Sequence, residues 1–90
     1  MVCKRILISG RVQGVSFRFY SHEKASEFGL KGWVHNLSDG KVEMLLAGPQ
    51  EEVDAVIKWA HKGPPAAHVV AVEIHDLKEN FPVEPFYIRL

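Results

Sequence analysis

Gly10-Arg11-Val12-Gln13-Gly14-Val15-Ser16-Phe17-Arg18 is the passage from the first apolar strand into the first helix of a 90-residue chain. Its two glycines let the backbone reach φ > 0, so several N–H groups turn inward, and the helix that follows aims the positive end of its dipole at the same place. A loop built this way is a cradle for an anion. An arginine in the first turn of a helix opposes the dipole by about 0.3–1 kcal/mol unless something negative is held beside it. Arg18 therefore reads either as a solvated residue at the helix start or as the partner of a bound phosphate, sulfate or carboxylate.

Upstream of this passage, residues 4–10 alternate with Ile6 and Ile8 on one face and Leu7 on the other, the pattern of a strand. Downstream, residues 18–28 read as a helix with an inner stripe of Phe17, Ser21, Ala25 and Phe28, stopped by Gly29. Two strands follow, residues 31–38 and 41–47, joined across Asp39-Gly40, a strong signal for a tight hairpin. After Gly48-Pro49, Val53, Val56, Ile57 and Ala60 recur at helical spacing, with Glu51, Glu52 and Asp54 early and Lys58, His61 and Lys62 late. Gly63-Pro64-Pro65 ends this second helix. Residues 68–75 then alternate with Val70, Val72 and Ile74 on one face, and residues 86–90 make a short last strand. The order is βαββαβ with a short strand appended. Two helices of this size bury their apolar faces best on one face of an antiparallel sheet, which predicts an α+β, ferredoxin-like sandwich with residues 1–90 as one domain.

Composition narrows the function. An apolar fraction of 47% and a charged fraction of 24% are ordinary for a globular protein, and no apolar run approaches the roughly 18 residues of a membrane span, so a cytoplasmic monomer without a membrane partner is expected. The lone Cys3 precludes an internal disulfide. Eleven basic and eleven acidic residues cancel, which argues against nucleic acid, whose binding rests on many phosphate contacts. The charge is uneven, with seven Lys/Arg against four Asp/Glu in residues 1–45 and the reverse in residues 46–90. The positive half carries the loop, and a small anionic ligand suits it.

Several chemistries lack their residues. The histidines at 22, 35, 61, 68 and 75 are not spaced as metal ligands, so no metal and no cofactor are expected. The loop does not end in the Gly-Lys-Ser/Thr of a nucleotide P-loop. Cys3 has no arginine six residues on, since position 9 is serine, and Ser9 and Ser16 have no evident His/Asp partners in the sequence. Strand three, Lys41-Val42-Glu43-Met44-Leu45-Leu46, lacks the aromatic motif of RNA-binding sheets. Trp33 and Trp59 read as packing residues. What remains is the loop, Arg18 and Asn36. Asparagine is depleted in strands, and local pattern leaves Asn36 open between a strand-end residue bonding the turn and a polar side chain aimed at the cradle.

Three blocks resemble the acylphosphatases: residues 10–18, then Gly29-Leu30-Lys31-Gly32-Trp33-Val34-His35-Asn36 running on to Asp39-Gly40-Lys41-Val42-Glu43, and Gly63-Pro64-Pro65-Ala66-Ala67-His68-Val69. Size, element order and the closing Phe86-Tyr87-Ile88 agree, so the resemblance covers nearly the whole chain. It implies metal-independent hydrolysis of an acyl phosphate to a carboxylate and inorganic phosphate. It further implies that Arg18 binds the phosphate, that the backbone of Gln13, Gly14, Val15, Ser16, Phe17 and Arg18 forms the cradle, and that Asn36 orients the attacking water. The alternative from another class is a non-catalytic anion-binding accessory module of the same fold.

Overall fold

The computed structural model describes residues 1–79 and 81–90. The elements run β1 (Val2–Arg11), α1 (Phe17–Glu27), β2 (Lys31–Asn36), β3 (Val42–Gly48), α2 (Gln50–Lys62), β4 (His68–Leu77) and β5 (Tyr87–Ile88). The strands form one sheet in the order β4-β1-β3-β2-β5. Ladders β1/β3, β1/β4 and β2/β3 are antiparallel, as expected, and the two-residue β5 joins the edge of β2 in parallel, so the sheet is mixed. Both helices cover the same face. Ile6, Ile8, Val34, Val42, Met44 and Leu46 of the sheet form one buried cluster with Phe17 and Ala25 of α1 and Val53, Val56, Ile57 and Ala60 of α2. This is the ferredoxin-like sandwich, and it seats the start of α1 and the end of β2 on the same side of the sheet. No helix among the described residues is long and apolar enough to cross a membrane.

The stripe on α1 holds for Phe17, Ser21 and Ala25, all buried. Phe28 departs from it, at 40% exposed, because the helix is already turning there. Leu30 N–H donates to Ala25 O at 2.9 Å and Gly29 N–H to Ser26 O at 3.0 Å, the paired bonds of a Schellman cap, with Gly29 at φ 66°. The cap swings Leu30 into the core in the place the stripe assigns to Phe28.

On β4 the expected inner face breaks at Val70, which is 71% exposed. The register of β1 and β4 shifts between Ser9 and Gly10: Ser9 faces Ala71, but Gly10 faces Val69. Val70 is the extra residue of a β-bulge, so the alternation slips by one and Val69, not Val70, packs on the core beside Val72. Gly10 permits this, since a Cβ there would stand 2.2 Å from the His68 carbonyl oxygen.

The opposite face of the sheet carries a smaller cluster of Cys3, Leu45 and Ala47, with Trp33 and Leu77 packed against it. Trp33 is a packing residue, capped by the Arg89 guanidinium 4.7 Å from its ring, and Trp59 packs its ring against Phe17 at 5.3 Å. Beside Trp33, Glu43 accepts from Arg5 and pairs with His35, each at 2.5 Å. Burial pushes the Glu43 carboxyl up, but the hydrogen bonds from His35 and Arg5 outweigh it and hold the group below its ordinary range. Burial raises the Cys3 thiol, which leaves it less reactive.

Candidate active site

Between β1 and α1 the chain faces two ways. Val12 and Val15 are buried in the main core and fix the loop, while Gly14 before Val15 and Ser16 after it stand exposed. Gly14 adopts φ 74° and Ser16, a non-glycine residue, adopts φ 65°, ψ 24°. The left-handed region costs such a residue about 1–2 kcal/mol, which the surrounding packing must hold in place. Ser16 is also the N-cap of α1, yet its side chain makes no capping hydrogen bond, and the first turn contains no acidic residue. The amides at this helix start are therefore left without a side-chain acceptor from the cap.

Arg18 lies in that first turn and makes no ion pair among the described residues. It shares a cleft of about 430 Å3 with Gly14, Ser16 and Asn36, and the apolar residues Phe19, Ile88 and Leu90 also line it. The volume lies within the range of about 300–1,000 Å3 in which small molecules bind. Among the described residues no Asp or Glu side chain lines the cleft, so the side chains and helix that line it present a guanidinium and a helix N-terminus.

Asn36 reaches the cleft from the last position of β2, where it faces Val42 and so shares the helix-covered side of the sheet. Its Oδ1 is buried and accepts no hydrogen bond among the described residues. A strand-end asparagine that served its own turn would spend this oxygen on the turn. Here the turn is closed by other groups: Leu37 N–H donates to Lys41 O at 2.8 Å, Gly40 N–H to Leu37 O at 3.3 Å, and Lys41 N–H to Asp39 Oδ1 at 3.0 Å. The backbone bond from Lys41 also holds the Asp39 carboxyl below its ordinary range. The connection spans residues 37–41, longer than the two-residue hairpin that Asp39-Gly40 predicts, and the Leu37–Lys41 bond extends the ladder by one pair.

The sequence-predicted residues thus separate into groups. Gly14, Ser16, Phe17, Arg18 and Asn36 come together at the cleft. Val15 contributes its side chain to the core instead. The side chain of Gln13 turns from the cleft and donates through Nε2 to Leu37 O at 2.7 Å and to Lys41 O at 2.9 Å. Sequence reasoning gave Gln13 only a backbone role and missed Phe19, Ile88 and Leu90. The signal for these three was faint: a phenylalanine directly after Arg18, and an alternating Ile88, Leu90 pair in the closing strand. Among the described residues no three His, Cys, Asp or Glu side chains converge as metal ligands would.

Comparison with known proteins gives the same picture along the whole chain. A family model described as Acylphosphatase matches residues 4–88. An acylphosphatase of Nitrosococcus oceani is 48% identical over 89 residues, covering 99% of each chain. The crystal structure of acylphosphatase from Bacillus subtilis aligns at a TM-score of 0.95 with 32% identity, covering 100% of both chains. An acylphosphatase structure from Coxiella burnetii aligns at 0.91 with 36% identity, covering 98% of this chain and 92% of that one.

Proposed function

The chain belongs to the acylphosphatase family and hydrolyses acyl phosphates, and on that premise we propose how its residues divide the reaction. Arg18 and the backbone N–H groups of residues 13–18 hold the phosphoryl oxygens, while Asn36 holds the attacking water. One observation carries this reading: an unpaired cation at a helix start shares a cleft with a buried amide oxygen, Asn36 Oδ1, that no described residue satisfies. Leaving a buried acceptor unbonded costs about 1–3 kcal/mol, so Oδ1 favours an O–H group brought by a ligand. A water donating to Oδ1 keeps its lone pair free for phosphorus.

In the substrate R–CO–O–PO3 2− the water oxygen forms a new bond to phosphorus as the bond from phosphorus to the bridging oxygen breaks. The electron pair of that bond leaves on the carboxylate, and the water's protons pass to the phosphate product and to solvent. The conjugate acid of the leaving group has a pKa of roughly 4, so it departs without a general acid. The cleft accordingly needs no Asp or Glu as general acid, and among the described residues neither lines it. Phosphoryl transfer through a loose transition state asks mainly for positioning and for neutralisation of the equatorial oxygens. A guanidinium and oriented amides supply both without calling on a metal.

We read the enzyme as a cytoplasmic monomer acting on small molecules: zero net charge disfavours nucleic acid, and the single buried cysteine needs no oxidising compartment. Hydrolysis of benzoyl phosphate by purified protein in excess EDTA tests the proposal. Turnover in EDTA is expected. A folded protein that binds inorganic phosphate yet leaves benzoyl phosphate intact would overturn the catalytic reading.

A further inference from the structure

We infer that Gln13 is a positioning residue for the hydrolysis, acting through Asn36, and that its side chain sets the separation between the phosphate cradle and the attacking water. The inference rests on the roles proposed above for the loop and for Asn36.

The sheet order is the starting point. The loop grows from β1 and Asn36 ends β2, but β3 lies between them, so no ladder hydrogen bond joins the two halves of the cleft directly. Among the described residues Asn36 Oδ1 has no hydrogen-bond partner to fix it either. Of the hydrogen bonds among the described residues, the two from Gln13 Nε2 are the ones that connect the loop to the β2–β3 turn. They end on Leu37 O and Lys41 O, the carbonyls of the residue after Asn36 and of its partner across the turn.

The geometry is well matched to that task. An uncharged amide nitrogen has two hydrogens, and both are used, at 2.7 and 2.9 Å, on two carbonyls that also accept backbone bonds within the turn. Gln13 sits between Val12 and Val15, whose burial fixes the loop, so the tie runs from one anchored segment to the other. In-line attack tolerates little error: a misplacement of about 1 Å can cost about 100-fold in rate. A turn released from the loop lets Asn36 and its water drift relative to phosphorus, while Arg18 and the cradle amides keep their own geometry.

A double-mutant cycle tests this, with kcat for benzoyl phosphate and the Kd for inorganic phosphate as readouts. Gln13→Met keeps the length and removes both donors. It is expected to lower kcat by about 10–100-fold with a change in phosphate Kd of no more than about 3-fold, and to lower kcat by no more than about 2-fold when Asn36 is already alanine. Gln13→Glu, which keeps the shape and hydrophilicity but as a carboxylate cannot donate, serves if the methionine variant fails to fold, and the same non-additivity with Asn36→Ala is expected. A fall in kcat by the same factor with and without Asn36 would overturn the inference, as would a loss of phosphate affinity in step with kcat. Absence of turnover by the unsubstituted protein, with phosphate still bound, would instead remove the catalytic reading on which the inference stands.

Discussion

Helix α2 starts after Pro49 with Glu51 and Glu52 in its first turn and ends with His61 and Lys62, whereas α1 starts after Ser16 with Arg18 and no acidic residue. The first arrangement is the one a helix dipole favours, with negative charge at the N-terminus and positive charge at the C-terminus. The second reverses it at the N-terminus. Both helices cover the same face of the same sheet, so the packing environment does not account for the contrast. The stability that α2 obtains from its own carboxylates, α1 forgoes unless an anion from outside supplies the missing charge. Burial follows suit: four apolar side chains fix α2 to the core, whereas α1 buries Phe17, Ser21 and Ala25 and leaves Phe19 and Tyr20 in water. One helix is built to hold the fold, and the other is built to present its end.

Substitutions that break or sharpen this contrast differ in scale. Arg18→Ala removes the cation that waits for the phosphoryl oxygens, and kcat/KM for benzoyl phosphate should fall by about 10^3-fold or more, the scale on which losing a transition-state charge partner acts. Steady-state kinetics measure it, and a loss below tenfold would return Arg18 to the solvated role that the sequence left open. Asn36→Ala should lower kcat by about 10^2-fold, since water remains available but is no longer oriented. Single-turnover measurements on this variant check that the chemical step is the one slowed.

Phe19→Glu makes α1 resemble α2. The residue is 54% exposed and lies in the first turn, so a carboxylate there supplies the charge that the dipole lacks. Thermal unfolding without phosphate should show a gain of about 0.3–1 kcal/mol, and phosphate should bind several-fold more weakly because the position of the anion is already partly compensated. Glu51→Gln is the reciprocal change and the smallest: a loss of about 0.3–1 kcal/mol in stability, with phosphate affinity unmoved. If phosphate affinity fell with Glu51, the two helix starts would not be independent and the contrast between α1 and α2 would fail.

Much of this was legible in the sequence, for identifiable reasons. Glycine stops located the ends of both helices and charge order supported the second, because caps and dipoles are local effects that nearby residues report. Asp39-Gly40 located the turn though not its length, since the ladder extension at Leu37 and Lys41 depends on carbonyls that Gln13 also binds. Isoleucine alternation placed β1 correctly, yet the same alternation misassigned Val70. The bulge is encoded by Gly10, read as a strand boundary, whose close approach to His68 is a contact between distant segments. At the site, the loop glycines and Arg18 could be read from charge and backbone freedom. Ser16 in the left-handed region could not, because serine carries no preference for it and only the surrounding structure imposes it. The partnership of Arg18 with Asn36 depended on resemblance, since Arg18 stands on α1 after the β1 loop, Asn36 ends β2 with β3 between β1 and β2, and no local pattern links residues 18 positions apart.

Isothermal titration of inorganic phosphate into the unsubstituted protein, Arg18→Ala and Asn36→Ala tests the central division of labour most directly. Phosphate should bind the unsubstituted protein and Asn36→Ala with affinities within about 3-fold, under about 0.7 kcal/mol, and should show no measurable heat with Arg18→Ala. Equal loss of affinity in both variants, or undiminished binding by Arg18→Ala, would contradict an account in which one residue holds the phosphoryl group and the other only the water.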